Sequence, residues 1–150
     1  MNYREPALLS PGALRHLRDL VARMGRHRGP WATLGGGERL DNGAFTMPWV
    51  DMNELAMEAM QFLYDNRLVV GFTGQDMLFD WAAWDEGRAI FQDPAEDRFD
   101  HRDRLTVLKL LTAIARNDRF CEGAWANLFE HGDGQALFRR LLELEQESRT

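Results

Sequence analysis

Apolar side chains recur at helical spacing over much of this 150-residue chain. In residues 11–28, Leu14, Leu17 and Val21 fall on one stripe, while arginines occupy the remaining surface. Ser10 is the type of residue that caps the start of a helix. The pattern therefore predicts an Arg-rich, amphipathic N-terminal helix.

Further segments downstream repeat the helical period. In one of them Leu105, Leu108 and Leu111 line one face, and Val107 and Leu110 widen it. A helix that is apolar around most of its circumference normally lies inside the fold, so we expect this one to be central. The predicted helices after the first are residues 52–66, 80–93, 102–119, 122–131 and 135–147.

Residues 31–50 are rich in turn formers and indicate a different local structure. The runs 44–50 and 68–72 are short and apolar, as strands are, although Pro48 restricts the first run to an edge or a bulge. A strand, helix and strand in that order favour parallel pairing through a right-handed crossover. Antiparallel pairing through the turn at 41–43 stays open.

These patterns together predict a predominantly α-helical fold of about six helices, with a small two-stranded β element near residues 44–50 and 68–72. The length fits one domain over residues 1–150 and is enough to bury a core without disulfides. Within it we distinguish the N-terminal helix, the turn-rich β segment 31–50 and a helical body over residues 52–147.

The net charge of −6 hides an asymmetry along the chain. Residues 1–40 carry seven Arg and three acids, a balance of +4, whereas residues 41–150 carry 11 bases and 21 acids, a balance of −10. An acidic body opposes binding to nucleic acid or to an anionic membrane. Nucleic-acid binding through the Arg-rich first helix is therefore only a weaker hypothesis.

The expected location is the cytoplasm. No run of about 18 apolar residues is present to span a membrane, and the N-terminus has no apolar signal-peptide core. The single cysteine cannot form an internal disulfide, which suits a reducing compartment.

Motifs for metal or cofactor chemistry are missing. The four histidines, at positions 16, 27, 101 and 131, match no compact ligand spacing. The glycine run 35–37 lacks the Lys-Ser/Thr of a phosphate-binding loop, and no Gly-x-Ser-x-Gly occurs. The sequence therefore predicts no metal and no cofactor, and it identifies no catalytic residue.

The only cysteine lies in "RNDRFCEGAW", residues 116–125. A thiol nucleophile needs a base, but His131 would lie about 15 Å away along a helix axis at 1.5 Å per residue. We therefore expect Cys121 to be a buried structural residue with Phe120 packed beside it. A reactive thiol near a helix start is the alternative.

A second candidate segment is "FDWAAW", residues 79–84. Trp81 and Trp84 are spaced for one helix face, as either core or binding-surface residues. We hypothesise that Asp80 begins this helix and pairs with Arg119 of the cysteine segment. The candidate pocket or interaction site comprises Asp80, Trp81, Trp84, Arg119, Phe120, Cys121 and Glu122.

The motifs FDW, LLT, RFCEG, FE-x-G and RL resemble an uncharacterised family of small bacterial proteins, a domain of unknown function, over roughly residues 43–144. The most specific piece is Arg119–Gly123. The family often has a His after Cys-Glu-Gly, where this chain has Ala124, and that departure speaks against a local Cys–His pair. The resemblance implies a bacterial, cytoplasmic origin and a site candidate, but no reaction.

Two function classes follow from the sequence. The leading hypothesis is a non-catalytic protein-interaction or regulatory module with an unidentified protein partner and no membrane, and a homo-oligomer stays open. The alternative is a small enzyme or ligand-binding protein with a pocket between the FDW and RFCEG segments. A deep pocket in which Asp80 and Glu122 converge would favour the alternative, whereas an exposed apolar patch would favour the module.

Overall fold

The computed structural model describes residues 5–71 and 79–149, and these residues form a mainly α-helical fold with a minor β element, as the sequence predicts. None of the described helices combines the length and apolar character needed to cross a membrane. The described helices are α1 (Pro11–Arg26), α2 (Glu54–Asp65), α3 (Asp85–Gln92), α4 (Arg104–Asn117), α5 (Ala124–Glu130) and α6 (Asp133–Glu147), with a 3-10 turn at Trp81–Ala83. The described strands are β1 (Ala32–Gly35) and β2 (Trp49–Met52).

Helix α1 begins where its sequence indicates. The Ser10 hydroxyl accepts a hydrogen bond from Ala13 N at 3.1 Å, which satisfies one of the free N–H groups of the first turn. Its apolar stripe, including Leu14 and Leu17, is buried, and the helix packs mainly on α6 and also on α2.

Helix α4 lies at the centre of the core, which confirms the expectation from its wide apolar face. Its side chains Val107, Leu108 and Leu111 are fully buried, and the helix contacts α5, α6 and the 3-10 turn. The Asp103 carboxylate accepts a hydrogen bond from Thr106 N at 2.8 Å and fixes the start of the helix.

The two strands pair antiparallel, so the favoured parallel crossover is wrong. Ala32 lies opposite Met52, and Leu34 lies opposite Val50. The chain between the strands forms a long hairpin with a further bridge between Arg39 and Phe45 and a turn at residues 41–43. The alternative antiparallel pairing is the one observed, with a different partner strand.

The predicted strand at residues 68–72 is wrong over its described part, because residues 68–71 contain no strand. Leu68, Val69 and Val70 are buried directly after α2, and two of their N–H groups have other acceptors. Leu68 N donates to Leu63 O at 2.9 Å, and Val70 N donates to the Thr112 hydroxyl at 3.0 Å. The predicted strand 44–50 overlaps β2 only at its end.

The glycine run at 35–37 serves the packing of a tryptophan. A Cβ built on Gly35 or Gly36 would overlap the Trp49 indole, and Gly36 has a φ of +74°. Glycine accepts that backbone conformation and leaves room for the ring. The indole therefore lies flat against the start of the hairpin.

A buried ion pair, which the sequence did not reveal, attaches the N-terminal segment to the core. The Glu145 carboxylate of α6 is 0% exposed and accepts a hydrogen bond from Arg104 Nε of α4 at 2.7 Å. Glu145 also accepts from Leu9 N at 3.2 Å, while Arg104 donates to the carbonyl oxygens of Pro6 and Ala7. Residues 6–9 are thus held against two helices.

Candidate interaction groove between α3 and α4

An open groove of about 360 Å³ lies between the FDW segment and the C-terminal half of α4. Two of the sequence-predicted site residues, Trp81 and Trp84, line it. The remaining lining residues are Ala82, Gly87, Arg88 and Phe91 on the first wall, and Ala113, Ile114 and Asn117 on the α4 wall.

The predicted helix over residues 80–93 is interrupted. The Asp80 carboxylate accepts a hydrogen bond from Ala83 N at 3.3 Å and starts the 3-10 turn rather than an α-helix. Helix α3 begins only after Trp84, and no side chain caps its first turn. The break lets Trp81 and Trp84 line the same groove from two short elements.

Close packing fixes the position of Trp84. A Cβ on Gly87 would overlap its ring, so the glycine allows the indole to lie against α3. On another side, Lys109 Nζ of α4 lies 4.5 Å from the Trp84 ring centroid and 5.0 Å from that of Phe79. Such cation–π contacts are worth roughly 0.5–2 kcal/mol, and they join this wall of the groove to α4.

Phe120 extends the aromatic wall into solvent. Its ring stacks on Trp81 with the centroids 6.0 Å apart and the planes 25° from parallel, yet the residue is 81% exposed. The prediction that Phe120 packs beside a buried Cys121 is therefore wrong. Helix α4 ends at Asn117, and the Asp118 carboxylate accepts from Gly123 N and Trp125 N, which holds the intervening turn at the surface.

Cys121 lies in the same turn and is exposed, so the expectation of a buried structural cysteine is wrong. The helix predicted from Glu122 starts at Ala124, after Gly123 with a φ of +97°. In the segment 116–125 the fully buried aromatic residue is Trp125 and not Phe120. Within residues 5–71 and 79–149 no histidine hydrogen-bonds to Cys121, so no thiol–base pair is assembled there.

The charged candidates do not converge. Glu122 Oε1 accepts a hydrogen bond from Val50 N at 3.0 Å and thus faces β2. Asp80 caps its own turn. Arg119 is exposed and makes no ion pair with Asp80 in the described structure, so the hypothesis of an Arg119–Asp80 clamp is wrong.

A smaller depression of about 210 Å³ continues the groove toward α5, since Phe91 and Ile114 line both. It ends near Asp133, which is paired with Arg98. The sequence reasoning missed the contribution of α4 to both depressions. The signal for it was Ile114, one of the apolar residues outside the main stripe of that helix.

No three metal-binding side chains of the described residues lie close enough to hold an ion. The fold and the groove thus define a mainly α-helical protein with an open, aromatic-lined groove. The profile of DUF6508, a family of unknown function, matches residues 9–147, and the chain belongs to that family. The match confirms the suspected resemblance and extends it over most of the chain. Among curated proteins and among solved structures, no significant match is found.

Proposed function

We propose that this chain is a non-catalytic protein-interaction module whose partner docks on the Trp81–Trp84 groove. The observation that carries the proposal is Phe120, a large aromatic residue that continues the groove wall while 81% exposed. Burying such a side chain stabilises by about 1.5–3 kcal/mol. A docked partner would recover this free energy.

The composition of the groove supports a protein partner. Aromatic residues and arginine dominate the energetics of protein interfaces, and the groove presents Trp81, Trp84, Phe91 and Arg88 together. Trp and Phe side chains bury much area while losing little conformational entropy.

The charged groups support a binding role over a catalytic one. Asp80 and Glu122, whose convergence would have favoured an enzyme, are engaged with separate backbone N–H groups. Nucleic-acid binding through α1 is disfavoured, because Arg23 is paired with Asp19 and Glu58 and its charge is therefore partly neutralised.

We propose a bacterial cytoplasm as the location of this module. The support is the resemblance of its sequence motifs to small bacterial proteins and the single cysteine, which suits a reducing compartment.

The test is a matched pair of variants, Phe120→Ser and Met47→Ser. Both remove a large apolar side chain that is 81% exposed, but only Phe120 adjoins the groove. A protein captured by the immobilised chain would be purified and its Kd measured by calorimetry. We expect Phe120→Ser to weaken binding at least tenfold and Met47→Ser less than twofold. Equal effects of the two variants, or no reconstituted complex, would reject the proposal.

A second candidate function is binding of a small apolar ligand. The groove volume of about 360 Å³ lies within the range of small-molecule sites, roughly 300–1,000 Å³. A metabolite fraction that raises Tm in the wild type but not in Ala113→Phe, whose larger side chain narrows the groove, would support it. Such a ligand would bind Phe120→Ser normally because Phe120 lies at the rim, which separates the two candidates.

A further inference from the structure

A second open groove, of about 490 Å³, lies between β2 and α2. Its lining residues are distinct from those of the Trp81–Trp84 groove. Val50, Asp51 and Met52 form the strand side, and Met57, Met60, Gln61 and Tyr64 form the helix side.

Helix α2 is apolar on two sides. Its inner side, with Ala59 and Phe62, is buried in the core. Its outer side presents Met57, Met60 and Tyr64, whose spacing of three and four residues places them on one stripe. Met57 is 55% exposed. A helix that is apolar on two sides normally has cover on both. Met60 and Tyr64 pack in part against the core, whereas Met57 stays largely exposed at the groove.

The sheet extends this apolar surface. Side chains of directly opposite residues lie on the same face of an antiparallel sheet, so Leu34 and Val50 share the face that carries Met52. Leu34 is 87% exposed. The apolar surface of the groove therefore continues across the sheet from Val50 to Leu34.

Acidic residues lie in the groove and at the ends of its helix wall. Asp51 lies in the groove, and Glu54 and Asp65 stand at the two ends of α2. Within the described residues none of these three carboxylates pairs with a Lys, Arg or His. The remaining acid of α2, Glu58, is engaged by Arg23 and His16 on the α1 side. In the part of the chain that the structure describes, the surface thus combines methionines with carboxylates that form no ion pair.

We propose that this groove docks an amphipathic, cationic helix of a partner protein. One face of that helix would place bulky apolar residues, three and four positions apart, on Met52, Met57 and Met60. Its Lys or Arg residues would face the carboxylates at the rim. Methionine side chains are unbranched and polarizable, so they adapt to an incoming helix face, and helix-in-groove binding relies on such i, i+3, i+7 anchors.

The experiment uses methyl NMR of the full chain labelled at its methionines. The probe is a synthetic 18-residue Leu/Lys peptide with all Leu on one helix face. A Leu/Glu peptide of the same pattern and a Leu/Lys peptide with scattered Leu are the controls. We expect the methyl signals of Met52, Met57 and Met60 to shift with the amphipathic Leu/Lys peptide only, while the buried Met24 stays unchanged. Shifts with the Leu/Glu peptide, or none at these methyls, would overturn the proposal.

Charge-reversal variants test the rim. Asp51→Lys with Glu54→Lys should weaken peptide binding at least tenfold and reduce its dependence on salt. The control, Glu96→Lys with Asp100→Lys, makes the same change in net charge at exposed positions outside the groove and should alter affinity less than threefold. Equal losses in both double variants would mean attraction by bulk charge alone and would refute a groove site. Circular dichroism checks that each variant is folded.

Discussion

Replacing Arg104 by Met removes the principal partner of a fully buried carboxylate. In the wild type Glu145 accepts hydrogen bonds from Arg104 Nε at 2.7 Å, Arg149 Nη1 at 3.1 Å and Leu9 N at 3.2 Å. The substitution preserves apolar bulk, yet of these three partners it leaves Glu145 the last two. It also removes the donors that bind the carbonyl oxygens of Pro6 and Ala7.

The expected loss is about 3 kcal/mol. Removing one member of a buried ion pair costs roughly 3–5 kcal/mol, because the remaining charge stays buried without compensation. Arg149 still reaches Glu145 from a position that is 30% exposed, which favours the lower end of that range. At about 2–4 °C per kcal/mol for a chain of this size, Tm should fall by roughly 6–12 °C.

Urea and thermal unfolding, followed by tryptophan fluorescence, give the free energy of each variant. Glu145→Leu and the double variant complete a cycle, and we expect the double variant to lose at least 1 kcal/mol less than the sum of the single losses. Arg88→Met is the surface control, since its contacts with Asp85 and with the carbonyl oxygen of Ala82 are both exposed and its ion pair should contribute about 0–1 kcal/mol. Additive losses, or a loss for Arg104→Met no larger than the control, would refute the reasoning.

Three further predictions concern single residues. The hydrogen bonds from Thr106 hold the pKa of Asp103 below its usual value. The carboxylate therefore stabilises the fold above about pH 4, and this contribution is lost as pH falls through the lowered pKa. The free energy of unfolding should decline less steeply below pH 4 in Asp103→Asn than in the wild type, and an identical decline would contradict this. Cys121 should react with an alkylating reagent nearly as fast in the native chain as in urea, and tenfold protection would disprove its exposure. Gly87→Ala should lower Tm and change the fluorescence of Trp84, despite the better helix propensity of Ala, and a raised Tm would show that the ring does not pack there.

The sequence predicts the parts of this fold that depend on local periodicity and capping. Ser10 correctly predicts the start of α1, and the wide apolar face of α4 correctly predicts its central position. In each case the residues that carry the pattern lie in or next to a single helix. The prediction of a strand at residues 68–72 is wrong over residues 68–71, because apolar, β-branched residues are as suitable for a buried loop as for a strand. Only the hydroxyl of Thr112, distant in sequence, shows which structure the backbone adopts.

The candidate site was predicted only in part for the same reason. Trp81 and Trp84 line a groove as their spacing allowed, but the orientation of Cys121 and Glu122 depends on a turn that the Asp118 carboxylate closes. The partner of Glu122 is a backbone N–H of β2, 72 residues away. No pattern within one helix could indicate that contact. Whether the seven candidate residues act together stays a prediction.

The packing of α1 on α6 has a consequence for synthesis of the chain. Helix α1 leaves the ribosome before α6, against which its apolar stripe mainly packs, has been made. Until then Leu17 and Leu20, which are fully buried in the finished fold, stay exposed to water on that side. Slow translation before α6 should therefore prolong a state that chaperones bind and that aggregates readily. Synonymous codon changes just upstream of residue 133 should thus change the yield of folded protein without any change in the amino-acid sequence.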